Sequence, residues 1–374
     1  MQVDWDEIEA ALHAQAGPGF ELDRKRIEVF AAGIASRRLG VEANRLSGEL
    51  APAGPADVDH LEVLGAAERE QRHLRGSEAL ARGEVAVAVL NGGMATRFGG
   101  VVKGVVEALG GRSFLEIKHA QARAAGPGPF LVMNSFATHR ATQAFLRERG
   151  LERDAACFVQ AVSLRLTPDG EVFRGADGKP SFYAPGHGDF PWALRTSGVL
   201  ADLERRGVRC VMLSNVDNLG AEPDPVVIGH HLLSGRALTC ELAAVQPGDV
   251  GGSPTWVEGA LRVVEGFRFP ASFDFARLHY LSTNTFVMSI EALREEFPLE
   301  YYYVEKKVDG RPAVQMERLV NELALFVRTG YLVTPREGPA GRFFPVKAPG
   351  DLEALRADSA LVRRFGARAA APGR

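Results

Sequence analysis

The spacing of apolar positions changes at Glu84, and that change divides the chain. Before it, apolar residues recur every three or four positions. Trp5, Ile8 and Leu12 fall on one helical face, and Phe30 with Ile34 repeats the pattern after the Gly17-Pro18-Gly19 break. Ala51-Pro52-Ala53-Gly54-Pro55 reads as a loop, and Asp57 as the cap of a third helix carrying Leu61, Leu64 and Leu74. Residues 1–80 are therefore expected to form a helical N-terminal region with no chemistry of its own.

After Glu84 the pattern is that of strands. Val85-Ala86-Val87-Ala88-Val89-Leu90 is an unbroken apolar run ending in Asn91-Gly92-Gly93, which predicts a buried parallel strand feeding a tight turn. Strand-like runs follow at 129–133, 157–159, 208–213 and 238–242, with helical segments over 119–125, 138–149 and 193–206. Strands alternating with helices predict a doubly wound α/β sheet in a domain over 81–335. A C-terminal segment, 336–374, completes the organisation and ends in a frayed tail.

Composition narrows the chemistry. At 374 residues, with 46% hydrophobic and 24% charged, the chain has the makings of one large globular domain. A formal net charge of -3 provides no overall basic field, so nucleic acid is not an expected partner, and a bound anion must be met by local cations. Cys157, Cys210 and Cys240 lack metal-ligand spacing and read as buried thiols of a reducing compartment. The acidic start, MQVDWDEIEA, has no secretory-signal pattern, and the apolar runs are too short to cross a bilayer. The expectation is a cytoplasmic protein with no membrane partner.

Four segments carry candidate chemistry. LNGGMATRFGG, 90–100, places glycines after a buried strand, where backbone amides can approach a phosphate, with Arg97 and Lys103 as nearby cations. It is neither a P-loop nor GxGxxG, and alone it reads equally as a strand-to-helix turn. PGHGD, 185–189, sets His187 between glycines as an exposed donor for phosphate, and Asp189 reads as a helix cap. SNVDNLGA, 214–221, puts Asp217 at the carboxyl end of a strand, flanked by Asn215 and Asn218. Those hard oxygens suit Mg²⁺ shared with phosphate, although an Asx-rich turn has the same composition. RFFPVK, 342–347, taken by itself, is packing followed by a solvated lysine.

In order, and together with LVMNSFATH at 131–139, FVQ at 158–160, STNTF at 282–286 and AVQMERL at 313–319, these segments resemble the UTP–glucose-1-phosphate uridylyltransferase family. The likeness runs from about Val85 to Asp358. It implies a Rossmann-like mixed sheet of the sugar nucleotidyltransferase type with a helical N-terminal extension. The C-terminal β-helix of eukaryotic members is not expected, since the sequence ends soon after RFFPVK. By resemblance, Leu90, Gly92 and Gly93 would meet uracil and ribose, Gln160 the uracil edge, and Gly186 and His187 the nucleotide and its α-phosphate. Asp217 would ligate Mg²⁺, and Asn215, Gly252, Glu265 and Asn284 would surround the sugar. Lys103 would bind the triphosphate, and Lys347 would bridge the reacting phosphates.

Departures from the family pattern are local. Ala95-Thr96 stands where Gly-Thr is common, one lysine serves where two are usual, and STNTF replaces Asn-Thr-Asn-Asn. Arg97 is the candidate replacement for the missing charge. The implied reaction is Mg²⁺-dependent transfer of UMP from UTP to a sugar 1-phosphate, most simply glucose 1-phosphate, releasing pyrophosphate. A different or broader sugar preference, and a weakly catalytic UDP-sugar sensor, are the rival readings. Oligomeric state is not defined by the sequence.

Overall fold

A computed structural model of the chain describes residues 3–95 and 100–366. The Val85–Asn91 strand is apolar on both sides: Ala86 and Ala88 turn to one face, Val87 and Val89 to the other, and all four are buried. Such a strand must be covered twice, which is what the rest of the chain does. The strands assemble into an eight-stranded mixed sheet. Its order is Asp59–His60, Thr329–Val333, Leu238–Ala244, Tyr280–Ser289, Cys210–Asn215, Val85–Asn91, Phe130–Asn134, Ala155–Val159. Tyr280–Ser289 runs antiparallel to both neighbours, and the other adjacent pairs are parallel.

One face is covered by α6 (Phe190–Thr196) and α7 (Val199–Arg205), through Phe190, Leu194, Leu200 and Leu203. The other is covered by α4 (Phe114–Ala125), α5 (His139–Glu148), α8 (Pro225–Ser234), α9 (Pro349–Ala357) and α10 (Ser359–Gly366). The helix expected over 193–206 is therefore two. Gly198, with φ 79°, turns the chain between them in a left-handed conformation that a side chain would resist.

Residues 1–80 contain α1 (Trp5–Ala16), α2 (Arg24–Ala35) and α3 (Ala66–Ala81), with Ile8, Leu12, Phe30 and Ile34 buried as their spacing requires. They also contain two strands, Leu50–Pro52 and Asp59–His60, and the second is the edge of the main sheet. Asp57 does not cap α3. Its carboxylate accepts from the Gly54 amide and closes a short 3-10 turn, while Gly65 stands at the α3 cap. Leu74 is exposed rather than packed. No helix among the described residues is long and apolar enough to cross a membrane.

Candidate active site

The parallel strands Val85–Asn91 and Cys210–Asn215 end side by side, Leu90 opposite Asn215, so the turns that follow them open onto one cleft. This is where open α/β sheets gather ligands. The cleft encloses about 530 Å³. Leu90, Gly92, Gly93, Gln160, Gly186, His187, Gly252, Glu265 and Asn284 line it. Lys103, Asn215, Asp217 and Lys347 also open onto it. Arg97 lies outside the described residues.

The Gly92–Gln160 contact shapes part of the wall. A Cβ at Gly92 would lie 2.1 Å from Gln160 Nε2, so the backbone must be bare for the amide to sit there. Gln160 is 6% exposed, and its Oε1 has no hydrogen-bond partner among the described residues. A buried acceptor of this kind calls for a donor from water or a ligand.

His187 is not the exposed imidazole expected. Its Nδ1 accepts from the Val320 amide at 3.0 Å, which leaves the proton on Nε2, and burial lowers its pKa to about 4. The ring is thus a neutral donor of fixed tautomer. Asp189 stands at the N-cap position of α6, but its carboxylate makes no cap hydrogen bond: it is fully buried, accepts from the Ala161 amide at 2.8 Å and pairs with Arg318. The Arg318 carbonyl in turn receives the Gly188 amide at 3.0 Å, so this pair braces the PGHGD turn against the strand end that carries Gln160.

The glycine-rich segment returns to the sheet at Gly104, whose amide donates to Asn91 Oδ1 at 3.1 Å. Asn91 is held by Asn134 and Thr142 at 2.8 and 2.9 Å. This fixes the adjacent Lys103, whose ammonium pairs with the Asp217 carboxylate. The Asp217 loop is pinned from α4: Lys118 donates to Ala221 O at 2.7 Å and Gln121 to Leu219 O at 2.9 Å. Burial lowers the Lys118 pKa to about 7.

Asn218 is not a metal-ligand candidate. Its Nδ2 donates to Arg342 O at 3.1 Å and its Oδ1 accepts from the Phe344 amide at 2.9 Å. Arg342 is buried and bidentate to Glu241 at 2.7 and 2.8 Å. The segment bearing Lys347 is thereby fastened to the loop bearing Asp217. Lys347 then emerges at the start of α9, where Asp351 accepts from its backbone amide at 2.7 Å. Asp217 and Lys347 share one cleft.

Asn284 reaches the site through an irregularity. The pairing of Leu238–Ala244 with Tyr280–Ser289 slips between Glu241, opposite Thr285, and Leu242, opposite Ser282. The extra residues bulge, and Asn284 takes φ 55°, a conformation uncommon outside glycine. Its Nδ2 donates to Asn215 Oδ1 at 2.8 Å, and its own buried Oδ1 has no partner among the described residues. An uncommon backbone conformation and an unpartnered buried acceptor thus coincide at this residue on the cleft wall.

Sequence reasoning missed the roles of Asn91, Asn218, Arg318 and Arg342. Asn91 had a local signal, an amide directly between a buried strand and two glycines. The others act through partners far along the chain.

No group of three or more His, Cys, Asp or Glu side chains gathers as a metal cage among the described residues. One carboxylate on the cleft wall, Asp217, fits an ion that takes its other ligands from phosphates and water, the usual state of Mg²⁺ at a nucleotide.

A mixed α/β sheet with this cleft defines a nucleotidyltransferase fold. The family model for UTP–glucose-1-phosphate uridylyltransferase matches residues 49–364, and the chain belongs to that family. A UTP–glucose-1-phosphate uridylyltransferase from Solanum tuberosum is 30% identical over 297 residues, which is 74% of this chain and 61% of that protein. The match therefore spans less than two thirds of that relative. A UDP-glucose phosphorylase from Trypanosoma brucei superposes with a TM-score of 0.76 at 26% identity, covering 95% of this chain and 79% of that one. A mutant UDP-glucose pyrophosphorylase from Leishmania major, solved in complex with UDP-glucose, gives a TM-score of 0.71 at 26% identity, covering 88% and 74%.

Proposed function

We propose that the protein is a UTP:sugar-1-phosphate uridylyltransferase that converts glucose 1-phosphate and UTP to UDP-glucose and pyrophosphate. The observation that carries this reading is the opening of Lys103, Asp217 and Lys347 onto one cleft that also holds the orphaned Gln160 acceptor and the Glu265 carboxyl.

A sugar 1-phosphate is ionised at neutral pH, so the attacking oxygen needs no general base. It forms a bond to the α-phosphorus of UTP while the bond from that phosphorus to the α–β bridging oxygen breaks. Pyrophosphate leaves with the electron pair. The obstacle is repulsion between anions: two unit charges about 4 Å apart interact by roughly 4 kcal/mol at an effective dielectric near 20. Placement of cations therefore dominates catalysis.

In this reading Lys347 spans the attacking phosphate and the α-phosphate, and Lys103 with Arg97 neutralises the leaving group. His187 donates through Nε2, and Gln160 accepts from the uracil ring. Asp217 would hold magnesium, which when bound supplies further charge neutralisation at the phosphates. The three unpaired thiols support a reducing, cytoplasmic setting.

The test is pyrophosphate release by purified protein with UTP and a panel of hexose 1-phosphates, with and without Mg²⁺. Release that requires Mg²⁺ and is fastest with glucose 1-phosphate is the expected result. UDP-glucose binding with no release from any sugar would overturn the enzyme reading in favour of a sensor.

A further inference from the structure

The part of the cleft assigned to the sugar contains a residue that the proposed reaction does not use. Asn321 lies in the 3-10 helix Val320–Leu325, is 3% exposed, and lines the cleft beside Ser282 and Glu265. Its Nδ2 donates to Glu265 Oε1 at 2.6 Å, and its Oδ1 accepts from Ser282 Oγ at 3.5 Å. This is the one hydrogen bond that the Glu265 carboxylate receives among the described residues.

The surroundings explain why that bond matters. Burial raises the Glu265 pKa, and the Asn321 amide draws it back down. Glu322, Arg268 and Lys347 are the charged groups that act on it. Glu322 is itself paired with Arg268 at 2.8 Å, so the second carboxylate behind the pocket is already neutralised. With Oε1 committed to Asn321, Oε2 is the oxygen left for a ligand. A half-buried carboxylate oxygen on a cleft wall selects for a hydroxyl donor and against a substrate lacking one.

Resting on the uridylyltransferase reading, we propose that Asn321 is the positioning residue for sugar recognition. It holds the Glu265 carboxylate so that the second oxygen accepts a hydroxyl of a hexose 1-phosphate. Asn321 acts through Glu265, and its effect belongs to the sugar substrate alone.

Two variants of similar shape test this. Asn321→Leu removes the donor, and Asn321→Asp replaces it with an acceptor. For Asn321→Leu, KM for glucose 1-phosphate should rise roughly 10- to 100-fold, as loss of a hydrogen bond to a charged group implies, with KM for UTP within about twofold. Asn321→Asp should be equally impaired at pH 8 and recover as the pH falls towards 6. One proton shared by two facing carboxyls restores a donor, and the wild type has no such recovery. A general packing defect would raise both KM values together and give no acid recovery, and either result overturns the assignment. If Asn321→Leu fails to fold, the pH profile of Asn321→Asp decides. If the wild type releases no pyrophosphate, the uridylyltransferase reading fails and calorimetry separates the two claims. Asn321→Leu must then weaken UDP-glucose about tenfold or more and leave UDP unchanged, and equal affinity for UDP-glucose overturns the Asn321 proposal.

Discussion

Under the proposed function, the part of the cleft assigned to uracil, with Gln160 and His187, and the part assigned to phosphate, with Lys103 and Asp217, would meet their ligand by opposite means. At the uracil end the groups are neutral and already fixed: the Gln160 amide sits over a bare Gly92, and His187 is locked as one tautomer by the Val320 amide. At the centre the groups are charged and satisfy one another, with Lys103 paired to Asp217. In the first region the buried Gln160 acceptor has no partner among the described residues, so it would act on the ligand directly. The second must exchange an internal ion pair for phosphate, so its contribution appears only when substrate charge arrives. Changes at the uracil end should therefore appear in KM, and changes at the centre in kcat.

The largest effect is expected at Asp217. Asp217→Ala should lower Mg²⁺-dependent kcat by about 10²- to 10³-fold, the scale for loss of a preorganised charge. The fold should persist, because the loop is held by Lys118, Gln121 and Asn218 rather than by Asp217. Turnover assays beside a thermal melt check both halves, and wild-type turnover refutes the metal assignment. Next comes Lys347→Ala, with kcat lower by about 10²-fold and both KM values little changed. Unaltered turnover would remove Lys347 from the reacting centre.

These two residues differ in how far the sequence exposes them. Asp217 follows an apolar strand directly, so its place at the sheet's carboxyl edge could be read from the run before it. Lys347 follows no strand, and by pattern alone it is a solvated lysine. What brings it to the cleft is Asn218, bonded to Arg342 across 124 positions, and the buried Arg342–Glu241 pair across 101. No local period encodes such pairings. The sheet was legible because continuous apolar runs have few other uses, whereas Asp59–His60, at two residues, is too short to show a period. Asn284 was found through resemblance, but its strained backbone comes from a register slip between two strands forty positions apart. The clamp is itself testable: Asn218→Ala should lower kcat roughly tenfold by loosening the Lys347 segment, with KM for UTP unchanged, in the same turnover assay.

At the uracil end the expected effects are smaller and of another kind. Gln160→Ala should raise KM for UTP about tenfold and narrow the preference for UTP over CTP, with kcat nearly intact. Competition between the two nucleotides measures this directly. Discrimination equal to wild type would show that the buried amide does not read the base.

The smallest effect concerns pH, and it sharpens the same contrast. His187 has a folded pKa of about 4, lowered by burial from an ordinary value near 6.5. His231, buried between Thr239 and Ser289 hydroxyls at 2.9 and 3.1 Å, is also lowered to about 4. Between pH 6.5 and 4 the unfolded chain binds protons that the folded chain does not, so unfolding takes up protons there. Stability from these rings is therefore complete above about pH 6.5 and declines as the pH falls towards 4. Calorimetric melting should give a flat midpoint from pH 8 to 7 and a loss of several degrees by pH 5. The loss should be shallower in His231→Gln, which has one ring fewer to titrate. Equal slopes in the two proteins would mean that carboxylates alone set the acid limit. Because His187 stays neutral throughout the working range, KM for UTP should not follow the same curve, and a neutral uracil end would then be distinguished from the charged centre by its indifference to pH.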